Sequence, residues 1–253
     1  MALPLVVLLG IAIGVVYGLF GAGGSAFATP ILALMGVPAP VAVASPLPAV
    51  LPASLLSARE YFRAGMLDRR VAKLAVLAGV PTVLVGAFAS RVVSGQWLLI
   101  LSGLLLLGVG TRMLVPARSG GPGRAAARAA ARVDSTTLVV ALVAMAGFVA
   151  GLLAAGGGIL LVPIFVMALG FTTARAAGTS LVVAAALTVP TVTAHWLLGN
   201  IDWSIAAAFA LGMVPTSFLA AQYGPRLPDR ITRPAFGVVL LVFSLFFVAC
   251  QLG

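Results

Sequence analysis

The chain has 253 residues, of which 62% are hydrophobic and 8% charged, with a mean hydropathy of +1.21. Soluble domains run at about 45–50% apolar and roughly 25% charged residues, so this composition excludes a water-soluble globular fold and describes an integral membrane protein. Fifteen Lys+Arg face five Asp+Glu, a formal charge of +10. In a soluble protein that surplus would point to nucleic acid; here the cations must first be placed relative to the apolar spans.

In chain order, stretches long enough to cross about 30 Å of hydrocarbon are residues 3–20, 41–58, 71–90 and 97–115. The first of these begins without a basic n-region and runs straight into glycine-rich sequence, so it is expected to be retained rather than cleaved. A second set follows at 136–153, 176–198, 204–223 and 234–252. Between the first two members of each set lies a shorter apolar piece, 26–35 and 159–169. Each reaches only about 15 Å as a helix, which makes it a half-span or re-entrant segment. Residues 116–133, rich in Gly, Ala and Arg, read as a basic cytoplasmic linker between a first transmembrane repeat at 1–115 and a second at 134–253.

The two sets repeat one another. An offset of 133 places Gly18 on Gly151, Gly23 on Gly156, Gly24 on Gly157 and Pro30 on Pro163. An offset of 134 then places Gly65 on Gly199, Asp68 on Asp202 and Val80-Pro81-Thr82 on Val214-Pro215-Thr216. Short cytoplasmic loops carry the Lys/Arg excess. Arg59, Arg63, Arg69, Arg70 and Lys73 fall in a loop whose counterpart around Gly199-Asn200 has no cation, whereas Arg226, Arg230 and Arg233 fall in a loop whose counterpart has only Arg91. With these loops, the five-Arg stretch from Arg112 to Arg132 and Arg175 inside, every cation but Arg91 is cytoplasmic. Equivalent loops are then on opposite sides, which predicts two inverted-topology repeats with both chain ends outside. Each half has about four long helices plus a short broken helix after a glycine turn, the first helix entering and returning through that turn.

The repeated turns read GLFGAGGSAFATP from Gly18 and GLLAAGGGILLVP from Gly151. Irregular backbone survives in a membrane only against protein or a water-filled cavity, and the free N–H groups and partial positive charge of a half-helix N-terminus suit an anion. Two such ends brought together near the midplane would form the substrate site of a secondary transporter, lined by residues 21–25 and 154–158. The competing reading is packing, because Gly10, Gly14, Gly18 and Gly147, Gly151 recur at the four-residue spacing that lets membrane helices approach closely.

These turns with Pro30 and Pro163, together with Ala177-Gly178-Thr179-Ser180-Leu181, Gly199-Asn200-Ile201-Asp202-Trp203 and Met213-Val214-Pro215, resemble the sulfite exporter TauE/SafE family of bacterial membrane permeases. The likeness covers nearly the whole chain. In the first half, Val43-Ala44-Ser45-Pro46-Leu47 and Gly65-Met66-Leu67-Asp68-Arg69 are weakened versions of the same motifs. The resemblance implies a multi-pass protein of the bacterial inner membrane that moves sulfite or sulfonates, with no cofactor.

Candidate substrate-binding residues are Gly21, Gly23, Gly24, Ser25, Ser45, Gly156, Gly157, Gly158, Thr179, Ser180 and His195. For each hydroxyl, a bond to backbone or to a neighbouring helix is the competing role, and for His195 a structural bond at the interface. Arg175 is expected to snorkel to the cytoplasmic surface, where it is the cation nearest an anion path. Thr82 and Thr216 accompany prolines and are expected to mend helix kinks; Asp68 and Asp202 are expected as N-caps. An intramembrane enzyme would need a Ser–His pair, paired Asp or a metal motif, and only Ser25 with His195 qualifies. The single Cys250 allows neither an intrachain disulfide nor a cysteine metal site. No carboxylate lies in a predicted span, and each exported negative charge gains about 2.3 kcal/mol per 100 mV. The sequence therefore favours a non-enzymatic exporter of small anions by alternating access, with an uptake permease or a non-transporting membrane subunit as alternatives. Its partners are the anion and the bilayer, with no nucleic acid and a homo-oligomer left open.

Overall fold

The computed structural model describes residues 3–21, 24–93, 136–153 and 158–252, together with 97, 100, 101, 104, 107, 108, 110 and 111. All elements among them are helical: α1 (Leu3–Phe20), α2 (Gly24–Leu34), α3 (Ala39–Ala44), α4 (Leu47–Arg63), α5 (Arg69–Ala89), a 3-10 turn (Ser90–Val92), α6 (Thr136–Leu152), α7 (Gly158–Met167), α8 (Thr173–Leu197), α9 (Trp203–Ala221), a second 3-10 turn (Gly224–Arg226) and α10 (Asp229–Leu252). The all-α membrane class expected from composition is what the chain adopts. Leu3–Phe20, Ala39–Arg63, Arg69–Val92, Thr173–Leu197 and Trp203–Arg226 are each long and apolar enough to cross a bilayer. The linker 116–133 and Gly23, Gly156 and Gly157 lie outside the described residues.

Short polar side chains set the helix starts. The Asp68 carboxylate accepts from the Val71 N–H at 2.9 Å, and Asp202 accepts from Ser204 and Ile205 at 2.9 and 3.2 Å; both are N-caps that satisfy otherwise orphaned donors. Pro81 in α5 and Pro215 in α9 each deprive a carbonyl one turn back of its donor. The adjacent threonines donate instead to the two carbonyls that follow the orphaned one: Thr82 to the Ala78 and Gly79 carbonyls at 3.0 and 3.1 Å, Thr216 to those of Gly212 and Met213 at 2.7 and 3.3 Å.

Tertiary packing is reciprocal between the halves. On α9, Gly10 meets Phe209 and Met213, Gly14 meets Met213 and Thr216, and Gly18 meets Ser217 and Ala220. The contacts advance along both helices, so α1 and α9 are parallel. In the other half Gly147 meets Gly79 and Thr82, and Gly151 meets Val83 and Ala87, laying α6 parallel on α5. A Cβ at Gly18 would overlap the Ser217 carbonyl oxygen, and one at Gly151 that of Val83. The four-residue glycine stripes thus serve close helix approach, the packing alternative raised by the sequence.

The central helices α4 and α8, equivalent at the 134-residue offset, run antiparallel. At one end the Asp68 N–H donates to the Thr179 hydroxyl at 3.1 Å; at the other the Asp202 N–H donates to the Ser45 hydroxyl at 2.9 Å. The Asp68 end collects Arg59, Arg63, Arg69, Arg70, Lys73 and Arg175, and also Arg226, Arg230 and Arg233. The last three are held there because Gly224 abuts the Tyr61 hydroxyl and Asp229 accepts from the Thr173 N–H at 2.6 Å. Arg91 lies at the Asp202 end, beside His195 and Asn200.

The described residues at the start of the two glycine turns lie towards opposite ends. Gly21 packs on the Ala177 backbone at the Asp68 end, and Gly151 packs on Val83 and Ala87 towards the Asp202 end. The reason is reach: α1 has 18 residues, about 27 Å of helix, and its glycines keep it flush against α9 along that length. The turn therefore comes at the far end, and α2 returns the chain to the 35–38 loop beside Asp202.

Gly18→Ala and Gly151→Ala should each destabilise the detergent-solubilised protein by about 1–3 kcal/mol through overpacking against backbone. Gly65→Ala, at φ 70° with nothing within 4 Å of its Cβ position, should cost about 1 kcal/mol. Thermal melts of the three variants would rank them.

Candidate functional site

Each equivalent position can be compared at its two ends, and the ends are built differently. At the Asp68 end, the Arg175 guanidinium bonds the Asp68 carboxylate at 2.6 Å and lies 4.6 Å from the centre of the Phe171 ring. Asp68 and Phe171 are buried, whereas the Arg175 side chain is 50% exposed. The pair joins the start of α5 in the first half to α8 in the second. At the Asp202 end the equivalents of Phe171 and Arg175 are Val37 and Val41. These short side chains cannot reach Asp202, and a cavity of about 580 Å³ lies between the 35–41 and 199–205 segments.

The glycine turns show the same contrast. At the Asp68 end Tyr61 is fully buried, and its hydroxyl lies 3.1 and 2.6 Å from the Gly18 and Leu19 carbonyl oxygens. Its equivalent, His195, is 2% exposed, with Nε2 3.3 Å from the Gly151 carbonyl and Nδ1 3.4 Å from the Asn200 amide nitrogen. Both aromatic rings therefore tie the end of a first helix to the central pair. A second cavity, about 310 Å³, opens beside His195, lined by Ser90, Arg91 and Asn200. At the Asp68 end the equivalents of those three are Gly224, Pro225 and Met66, and there the Tyr61 hydroxyl sits against Gly224.

The sequence candidates distribute as follows. Gly21 has φ 65° and accepts through its carbonyl from the Ser180 hydroxyl at 2.8 Å. Gly24 opens α2, where a Cβ would come within 2.5 Å of the Met213 terminal methyl. Ser25 is buried and its carbonyl accepts from Thr29 at 3.2 Å. Gly158 opens α7. The Ser45 hydroxyl accepts from Asp202, and the Thr179 hydroxyl accepts from Asp68 while donating to the Arg175 carbonyl at 2.7 Å. Gly21 and Ser180 come together with Thr179 near the Asp68 end, and Ser45 and His195 belong to the other end. His195 engages Gly151 and Asn200, which leaves a Ser25–His195 catalytic pair without support.

Sequence reasoning missed several polar residues. The Tyr17 hydroxyl donates to Ser54 Oγ at 2.6 Å, and Ser54 in turn donates to the Val50 carbonyl at 2.6 Å. Among the described residues, Ser57 Oγ is buried with no hydrogen-bond partner. Arg91 and Asn200 were visible only as a stray cation and a loop motif. Among the described residues no three of His, Cys, Asp and Glu converge on a metal-binding geometry. Asp202 lies outside the spans. Its bond from the Ser204 hydroxyl, opposed by slight burial and aided by the Ile205 and Ser204 N–H groups, holds its carboxyl below the ordinary range. That cap is at full strength above the ordinary Asp value of about 3.9 and is lost as pH falls through the lower folded value.

Comparison with known proteins gives one consistent result. The family model described as Sulfite exporter TauE/SafE matches residues 6–247. The chain is 28% identical over 240 residues to a probable membrane transporter protein of Xylella fastidiosa (strain 9a5c), covering 93% of this chain and 91% of that one. It is 21% identical over 271 residues to the probable membrane transporter protein YunE of Bacillus subtilis (strain 168), covering 100% and 97%. No solved structure matches.

Thr179→Val should leave the Asp68 N–H buried without its acceptor and cost about 1–3 kcal/mol. Ser45→Ala should cost less, because Asp202 is exposed. Thermal unfolding in detergent distinguishes the two.

Proposed function

The chain belongs to the sulfite exporter TauE/SafE family, and on that premise we propose that it exports a small sulfur-containing anion, sulfite or an organosulfonate, by alternating access between inverted halves. As a membrane transporter of that family it is a multi-pass protein of the bacterial inner membrane. The observation that carries the finer reading is the unlike state of two equivalent ends. The Asp68 end is filled by the Arg175–Asp68 pair, Phe171 and Tyr61. The Asp202 end holds two cavities at the matching positions. A protein whose halves exchange these two states would expose a path first at one end and then at the other.

Three further features support the reading. The antiparallel α4–α8 pair of equivalent helices is the arrangement that inverted halves require. The cations at the Asp68 end support reading it as the cytoplasmic face under the positive-inside rule, which would turn the cavities outward. In this reading the turns at 21–25 and 154–158 offer uncharged backbone donors to the anion. Outward movement of a negative charge is downhill in a cell with a negative interior.

The test is efflux of labelled sulfite, a sulfonate and sulfate from vesicles containing the purified protein, with and without an imposed potential. The expected result is saturable sulfite or sulfonate flux that rises with a negative interior; equal flux in protein-free vesicles overturns the proposal. Arg175→Gln should loosen the closed end. In a Cys250→Ala background, a cysteine at Met66 should then label about three- to tenfold faster, as expected for removing one half-exposed ion pair.

A further inference from the structure

The 310 Å³ cavity lies where the C-terminal ends of α5 and α8 meet, and three of its polar residues are Arg91, Asn200 and His195. Arg91 is the one Lys or Arg among the described residues found at the Asp202 end, against the side preference of every other described cation. The acids at hand are engaged elsewhere: Glu60 with Arg63, Asp68 with Arg175 and Asp229 with the Thr173 N–H. Asp202 is held by Ser204 and Ile205. No acidic side chain among the described residues pairs with Arg91, so its guanidinium keeps its donors for something else.

The His195 geometry adds a directional constraint. If Nε2 carries the proton and donates to the Gly151 carbonyl at 3.3 Å, Nδ1 is left with a lone pair. That lone pair accepts one hydrogen of the Asn200 amide at 3.4 Å. The reverse orientation of the amide would set its oxygen against the imidazole lone pair. His195 thus fixes the amide so that its second N–H is free to bind an acceptor. Because His195 also holds the Gly151 carbonyl, the fixed amide stands beside the end of α6.

We propose that Arg91 and the Asn200 amide form an outward-facing docking site for a sulfo-oxyanion, with His195 as the positioning residue that aims the amide. A liquid water takes up about 30 Å³, so the cavity has the space of about ten waters. That is enough for a sulfonate with a short carbon tail, whose apolar part would lie along Val43 and Leu197. Arg favours planar two-point recognition of oxyanions, and the amide supplies a third donor. At the Asp68 end the equivalent positions hold Tyr61, Pro225 and Met66, which offer neither a cation nor an amide, so the site belongs to one end only.

This inference deepens the transport reading, and its test separates the two. The primary measurement is binding. In a Cys250→Ala background, a cysteine at Leu197 is labelled with a thiol reagent in the presence and absence of ethanesulfonate. The sulfonate should slow labelling, and Arg91→Gln or Asn200→Leu should raise the concentration needed about ten- to hundredfold, the equivalent of losing one charge-assisted bond. Arg91 is exposed, so its substitution leaves the core intact. Absence of protection with Arg91 in place, or protection unaltered by either substitution, overturns the site. Efflux is the second measurement, and there Arg91→Gln should raise KM by the same factor with the saturating rate within about twofold. Protection without any wild-type flux would uphold the docking site and overturn transport; flux without protection would do the reverse. His195→Phe should raise KM as Asn200→Leu does, and the double variant should add nothing further, since the histidine acts through the amide. An additive double variant would overturn the positioning role.

Discussion

The structure depends on backbone meeting backbone between helices. Lipid chains are as apolar as leucine, so burial from water does not hold two membrane helices together; dispersion contacts and hydrogen bonds must do so. Here the contacts run along Gly10, Gly14 and Gly18 on α9 and along Gly147 and Gly151 on α5, where any side chain larger than hydrogen would collide with backbone or a threonine hydroxyl. Once these two pairs form, the rest follows. The length of α1 sets where its turn falls, and the return path of α2 brings the 35–38 loop to Asp202. The central helices are left to hold one another through Thr179 on Asp68 and Ser45 on Asp202.

That scaffold is nearly the same in the two halves, but the chemistry placed on it is not. Equivalent positions carry Tyr61 and His195, Phe171 and Val37, Arg175 and Val41, and Gly224 and Ser90. The first half's turn is fastened by a phenol with one donor. The second half's turn is fastened by an imidazole that passes orientation on to Asn200. The packing residues have kept both copies alike, and the polar residues at the two faces have diverged.

Much of the fold was legible in the sequence because it follows from local physics. Apolar length gives the spans, and the Asp68 and Asp202 caps follow from short carboxylates ahead of helices. Where Gly21 falls along α8 was not legible, because it depends on how closely α1 can lie on α9, a tertiary quantity. Nor was the use of the Ser45 and Thr179 hydroxyls. A hydroxyl in a membrane helix looks the same in sequence whether it meets a substrate or the first N–H of a loop 111 or 157 residues away. Arg91 carried a signal that was read only as topology, although it lines a cavity with His195 and Asn200.

The substitution of Tyr61 by His195 at equivalent points has a consequence for kinetics. In a fully symmetric duplicated carrier, the opening steps at the two faces would be the same process run in opposite directions. Here, releasing one turn means breaking a phenol's hold on two carbonyls and parting an arginine from its carboxylate, while the other turn is held by one long imidazole contact. Under the proposed alternating access the two opening steps would break different bonds, so the unidirectional rates on the two sides would saturate at different concentrations, although the equilibrium approached is unchanged.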